Sequence, residues 1–186
     1  ALPAVTKVSQ IDSVNRFASR YLEGPVISFG GIHPQASNYK DILHDIKSMG
    51  LKGIKLHPDY QDTYFDDIRY ERIIDRASEL GLITVVHAGA DPKCPDDVHC
   101  TPQMARKVID EVRPENLVLA HMGGLVMWDE VEKYLVGQDV YFDTGVVLDR
   151  MPQEQFIRMV RSHGCSPILS VDFFNLNCSI LLSVTV

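Results

Sequence analysis

Apolar positions along this chain follow two rhythms that take turns. Short apolar runs end in, or just before, a polar residue with catalytic chemistry: Val26 to His33, Gly53 to His57, Leu82 to His87, Leu117 to His121, Val140 to Phe142 before Asp143, and Ile168 to Asp172. Runs of this length with polar ends read as strands. Between them the apolar residues recur at helical spacing. Val8, Ile11, Val14, Phe17, Ala18 and Tyr21 share one helix face before Gly24-Pro25. Tyr39, Ile42, Leu43, Ile46 and Met49 share another before Gly50, and Ile68, Ile73, Ile74, Ala77 and Leu80 a third before Gly81. Thr101-Pro102 offers an N-cap and a first-turn proline to a helix carrying Met104, Ala105, Val108, Ile109 and Val112. Two shorter helices are predicted around Trp128–Leu135 and Gln153–His163, with Gly137 and Gly164 as C-caps.

The order is therefore one helix followed by strict strand–helix alternation, the arrangement of a parallel sheet with outer helices. The run ends His33, His57, His87 and His121 succeed one another by 24, 30 and 34 residues, the length of one strand plus one returning helix. In a parallel barrel every strand C-terminus opens on one face, so these imidazoles and carboxylates are expected to converge there. About six strands can be counted, and 186 residues fall short of the roughly 250 typical of a closed eight-stranded barrel. The expectation is one domain over 1–186, an incomplete α/β barrel truncated at its N-terminus and atypical after about residue 164. A doubly wound open sheet is the structural runner-up. No glycine-rich phosphate loop follows an early strand, so nucleotide binding has no residues to stand on.

Composition narrows the function classes. A net charge of −7 and the lack of a basic patch argue against a nucleic-acid or anionic-membrane surface. No apolar stretch approaches the roughly 20 residues that span a bilayer. Ala1 to Gln10 lacks a charged region followed by an apolar core, so no secretory signal is expected. Cys94, Cys100, Cys165 and Cys178 are too few and scattered to staple the domain, which points to a reduced, cytoplasmic setting. A small-molecule substrate is the expected partner, with homo-oligomerisation left open.

The runs Gly53-Ile-Lys-Leu-His57-Pro58, Ile83-Thr-Val-Val-His87-Ala-Gly89, Leu117-Val-Leu-Ala-His121-Met-Gly-Gly124 and Val140-Tyr-Phe-Asp143-Thr-Gly145 resemble the amidohydrolase-related metal-dependent hydrolases of the TIM-barrel type. His99-Cys-Thr-Pro102 and His163-Gly164 fit the same pattern, so the resemblance covers roughly Val26 to Gly164. It implies a mononuclear or dinuclear divalent-metal site at the barrel mouth, usually zinc, with manganese an alternative. By position, His87 matches the family's fifth-strand metal ligand, His121 the sixth-strand catalytic histidine, and Asp172 the eighth-strand aspartate, a metal ligand that also takes part in catalysis. The family's first-strand His-x-His pair has no counterpart in this sequence, which leaves the ligand set incomplete.

The chemistry can be argued from the residue types. A catalytic zinc takes about three protein ligands, imidazole or carboxylate, and keeps one position for water. The bound water becomes acidic enough to supply hydroxide, and a neighbouring base carries protons. The glycines after His121 let backbone approach a substrate closely. His57 and His99 are candidate substrate contacts, His57 because it ends a strand before Pro58 and His99 because it sits in a long loop after a barrel strand. Each has a plain rival: a strand-end histidine is often a hydrogen-bonded structural residue, and for His33 loop packing is preferred. Lys55, one strand period before His57, corresponds to the lysine that dinuclear relatives carbamylate; a buried or paired lysine is preferred here. Asp143 is either support for a histidine ligand or a solvated loop carboxylate. A metal clip from Cys94, His99 and Cys100 fits no structural zinc spacing. Two functions stand at this point: a metal-dependent hydrolase of a small carbonyl-bearing substrate, with decarboxylation a neighbouring chemistry, and a catalytically silent remnant of the fold that serves binding or assembly.

Overall fold

A computed structural model describes residues 1–22, 26–94, 96–164 and the backbone of 168–169. Strands β1 (Gly30–Gly31), β2 (Gly53–Leu56), β3 (Ile83–Val86), β4 (Leu117–Leu119), β5 (Tyr141–Asp143) and β6 (Ile168–Leu169) alternate with helices α1 (Ile11–Ala18), α2 (Tyr39–Ser48), α3 (Ile68–Glu79), α4 (Pro102–Val112), α5 (Trp128–Tyr134) and α6 (Gln153–His163), α1 preceding β1. All neighbouring strands are parallel, and their spatial order is their chain order. A doubly wound sheet reverses its strand order midway. Here every crossover steps in the same direction, so the sheet is part of a TIM-type barrel and the runner-up topology falls.

Strand alternation sorts the side chains into two sets. Ile54, Leu56, Val86, Leu117, Leu119 and Phe142 face outward and pack with Leu43, Ile46, Ile73, Ile74, Val108 and Val131 of the helices in the main core. Phe29, Val85 and Val118 form a separate cluster on the inner face, with Ile83 and Tyr141 against it. Gly53 belongs to this inner face by necessity: a Cβ there would run into the Ile83 carbonyl and the Phe29 ring. The Thr101 hydroxyl caps α4 by accepting from Met104 N at 3.3 Å.

The first repeat differs from its sequence pattern. Only Gly30–Gly31 of the Val26–His33 run is strand, and Val26 and Ile27 are exposed. The first helix splits into a 3-10 turn, Val8–Gln10, then α1 and a second 3-10 turn, Ser19–Tyr21. Phe17 and Tyr21 lie outside the core, where their rings meet at 5.1 Å. The buried polar residue is Asn15. Its Nδ2 donates to Gly31 O at 3.1 Å and its Oδ1 accepts from Gly31 N at 2.7 Å. This fork serves β1 on the side away from β2, so α1 docks through an amide as well as through its apolar stripe. Gly24-Pro25, Cys165, Asp172, Cys178 and the run Ile180 to Val186, all singled out in the sequence, lie outside the described residues.

Candidate metal centre at the strand ends

His57, His87, Ala120 and Asp143 each stand at or just past the C-terminal end of a strand, on the inner side by alternation. His57 is held from three directions. Its backbone N–H donates to Gln61 Oε1 at 3.2 Å, and that amide is itself fixed by Tyr70 Oη and by the carbonyls of Val5 and Ile32. Its ring is sandwiched between Tyr60, centroids 3.7 Å apart, and His87, 4.1 Å apart, both stacked nearly parallel to it. The turn after β3 passes through Gly89 and returns Asp91 to the same spot, where Asp91 Oδ1 accepts from Lys93 N at 2.8 Å. Its other oxygen is left for the site, with Oδ2 3.6 Å from His57 Nε2 and 3.7 Å from His87 Nε2.

His121 joins from the next strand. Its Nδ1 lies 2.7 Å from Gly145 O and its Nε2 3.1 Å from His87 Nδ1. A carbonyl only accepts, so His121 Nδ1 carries the proton. In the neutral ring Nε2 is then an acceptor, and the proton of the second contact belongs to His87 Nδ1. His87 is left with a bare lone pair on Nε2, which is buried and has no hydrogen-bond partner. Burial, reinforced by His57, His121 and Lys55, pushes the His87 pKa down to about 2, and burial with Lys55 brings His57 down to about 4. Both rings are therefore neutral at physiological pH.

Facing that lone pair are two carboxylates, Asp91 and the fully buried Asp59. Asp59 Oδ2 is 3.9 Å from His87 Nε2 and is also unpartnered. Acceptors do not satisfy acceptors, and a buried lone pair opposite buried carboxylates is stabilised only by something electron-poor between them. Donor atoms of His57, His87 and Asp91 all lie within 4.8 Å of one another. Ligands at roughly 2.0–2.2 Å round a tetrahedral ion are about 3.3–3.6 Å apart, close to the two separations measured to Asp91. Two neutral imidazoles and one carboxylate are also the donor chemistry of zinc and similar ions. The residues present thus fit a divalent metal.

The remaining sequence candidates occupy identifiable places. His99 is buried beside the cluster. Its N–H donates to Asp59 Oδ1 at 3.1 Å, and its Nδ1 lies 3.1 Å from Asp97 O and 3.3 Å from Asp59 Oδ1. His33 packs within its own loop, where Nδ1 accepts from Gln35 N at 3.3 Å. Asp143 is buried and braces the loop backbone, Oδ1 accepting from His121 N at 2.9 Å and Gly145 N at 3.0 Å. Lys55 has neither a hydrogen bond nor an ion pair among the described residues. Burial lowers its pKa to about 8, opposed by the charge of Asp143 from beyond pairing distance. Cys94 and Cys100 are free thiols. Asp172 lies outside the described residues. Asp91 and Asp59 went unread in the sequence, although His57-Pro58-Asp59 and His87-Ala-Gly-Ala-Asp91 each set a carboxylate within a turn of a strand-end histidine.

The family described as Amidohydrolase matches residues 12–167. Among curated proteins, none matches the chain in sequence. Among solved structures, 5-carboxyvanillate decarboxylase from Sphingomonas paucimobilis superposes with a TM-score of 0.62 at 14% identity, over 88% of this chain and 61% of its own. Dihydroxybenzoic acid decarboxylase from Polaromonas sp. JS666, with bound manganese and the inhibitor 2-nitroresorcinol, gives 0.61 at 13% identity, over 90% and 66%. The 5-carboxyvanillate decarboxylase from Novosphingobium aromaticivorans, complexed with manganese and 4-hydroxy-3-methoxy-5-nitrobenzoic acid, gives 0.66 at 13%, over 88% and 59%. The chain thus spans about three fifths of the length of these structures, and at such identities the likeness is one of fold.

Proposed function

Because the chain belongs to the amidohydrolase family, we propose that it carries a divalent-metal centre acting on a small substrate with a carboxylate or carbonyl group, by decarboxylation or by hydrolysis. One observation carries the reading: the unpartnered, neutral Nε2 of His87, aimed at Asp91 and locked in its tautomer through His121 and Gly145. His57, His87 and Asp91 would hold the ion. When bound, such an ion polarises a substrate oxygen or acidifies a water molecule. The protein's own residues do the rest. Tyr60 and Gln61 keep the His57 ring in place, the Lys93 N–H turns Asp91 Oδ2 inward, and Asp59 with His99 supplies fixed negative charge beside His87.

His121 is the group suited to proton movement. Its Nε2 accepts from His87 Nδ1 and its Nδ1 donates to Gly145 O, so it takes a second proton only when the contact with His87 is released, and the Gly145 carbonyl then stabilises the charged ring. The bound manganese of the structural neighbours and their names as decarboxylases support the decarboxylation arm and leave zinc against manganese to experiment. A second reading, a catalytically silent domain that keeps the fold for binding or assembly, stands beside it because the likeness to the decarboxylases, at 13–14% identity, is one of fold. Metal analysis after dialysis against zinc and manganese separates the two. One equivalent of metal that disappears in His87→Ala, together with release of carbon dioxide from a hydroxybenzoate or hydrolysis of an amide or ester, supports the enzyme. A folded protein that takes up no divalent ion refutes the centre.

A further inference from the structure

A second concave feature lies on the flank of the barrel, between the loop after β1 and the start of α3. The loop is firmly set: Ala36 N donates to His33 O at 3.0 Å and Gln35 N to His33 Nδ1 at 3.3 Å, and Ala36 is buried against Val5 and Ile11. Opposite it, α3 opens on Asp67, whose Oδ1 accepts from Arg69 N at 2.9 Å. Together they enclose a groove of about 450 Å³, lined by residues 34–37 of the loop, Tyr39 at the start of α2, and Arg69 and Arg72 of α3. Small-molecule sites have volumes of this order. Pro34 and Ala36 are buried and Tyr39 is half-buried, which gives the groove an apolar floor.

Arg69 spends Nε and Nη2 on the Asp67 carboxylate at 2.7 and 2.8 Å. That fork fixes the plane of the guanidinium and leaves Nη1 to a ligand. Arg72 stands three residues on, on the same face of α3. Across from the two arginines, the loop offers the Ser37 hydroxyl and the Gln35 amide. Donors on two facing walls suit a group whose charged oxygens point in several directions. A phosphate monoester has three such oxygens, whereas a carboxylate has two in one plane, which a single fork satisfies. The net charge of −7 disfavours an extended polyanion such as a nucleic acid or a membrane surface, so the ligand is a small one.

We propose that this groove binds a small phosphomonoester, its phosphate held by Arg69 and Arg72 against Ser37 and Gln35 and its apolar body laid over Pro34 and Tyr39. None of these residues belongs to the strand-end cluster, so the site stands whether or not that cluster holds a metal.

Phenyl phosphate is the probe, titrated by calorimetry into the metal-stripped full chain at pH 8, where it is a dianion. It should bind wild type and His87→Ala alike. Arg72→Gln and Arg69→Gln should each weaken it by about tenfold or more, the worth of a bond to a charged group; both side chains are exposed, and such substitutions leave a fold standing. Arg158→Gln, which removes an exposed arginine paired with Glu132, should leave the affinity within about twofold of wild type. Benzoate should bind about tenfold more weakly than phenyl phosphate, and vesicles containing phosphatidic acid should not sediment the protein. The proposal is overturned by any of five results: no binding of phenyl phosphate to wild type, equal affinity for benzoate, an effect of Arg158→Gln as large as that of Arg72→Gln, sedimentation with the vesicles, or binding that vanishes in His87→Ala. The last result would put the probe at the strand ends, whereas a protein that binds phenyl phosphate but no manganese or zinc would sink the metal centre and spare the groove.

Discussion

Gly89→Ala is the most demanding test of how the candidate centre is built. Gly89 lies midway between His87 and Asp91 with φ of 83°, a conformation that costs an L-residue roughly 1–2 kcal/mol. A Cβ there would lie 2.6 Å from Leu125 O and closer still to Leu125 N and Gly124 C, so it meets the backbone of the loop after β4 and not a side chain that can turn away. That loop is itself fixed, with Leu125 N donating to Ala88 O at 2.9 Å and Leu125 O accepting from Ala90 N at 3.0 Å. Overpacking against so rigid a neighbour adds roughly 1–3 kcal/mol. Together the two effects predict a loss of about 2–5 kcal/mol, a fall in Tm of roughly 4–20 °C for a domain of this size. Whatever relief the backbone finds must move the two loops apart and draw Asp91 away from His87, so manganese or zinc binding should weaken as well. Urea melts and metal titration read the two effects separately. A variant that loses less than about 1 kcal/mol and binds metal as wild type does would show that the turn is not held as tightly as this packing requires.

Two further outcomes follow from named contacts. His121→Phe removes the acceptor that fixes the tautomer of His87 and should weaken divalent-metal binding about 10–100-fold with the fold intact, measured by competition with a chromogenic chelator; unchanged affinity would break the link between the two rings. His163 is kept neutral by burial, with Nδ1 accepting from Gly137 N at 3.1 Å and Nε2 lying 2.8 Å from Val140 O, so its folded pKa lies below the ordinary 6.5. Its contribution is complete above pH 6.5 and is lost as pH falls toward the folded value, because the unfolded chain takes up the proton first. Denaturation midpoints from pH 8 to pH 5 should therefore fall more steeply in wild type than in His163→Gln, and parallel profiles would contradict this.

The strand–helix alternation and the inner and outer faces were legible because each repeat obeys its own period, 3.6 outside and 2 within. Phe17 and Tyr21 show the limit of that rule. Both fall on the apolar stripe of the first helix, yet the helix gives way to a 3-10 turn before Tyr21 and docks through Asn15, which leaves the aromatic pair outside. At the centre, histidines announce themselves by ending apolar runs. The carboxylates of Asp59 and Asp91 do not, because loops carry aspartates for many reasons and only the fold through Pro58 and Gly89 turns these two inward. Lys55 falls on the face of His57 by strand period, but its want of a partner among the described residues depends on where Asp91 and Asp143 spend their oxygens, which no spacing encodes.

The amide of Asn15 has a consequence for how copies of this chain treat one another. By taking up the outward donor and acceptor of Gly31, it withdraws from solution the pair of groups through which a foreign strand would begin to zip onto this rim. With Ala1 O accepting from Phe29 N at 3.0 Å just before it, the flank of β1 spends its groups on the chain's own residues and gives little hold to ribbon-to-ribbon growth, the usual hazard of an exposed strand.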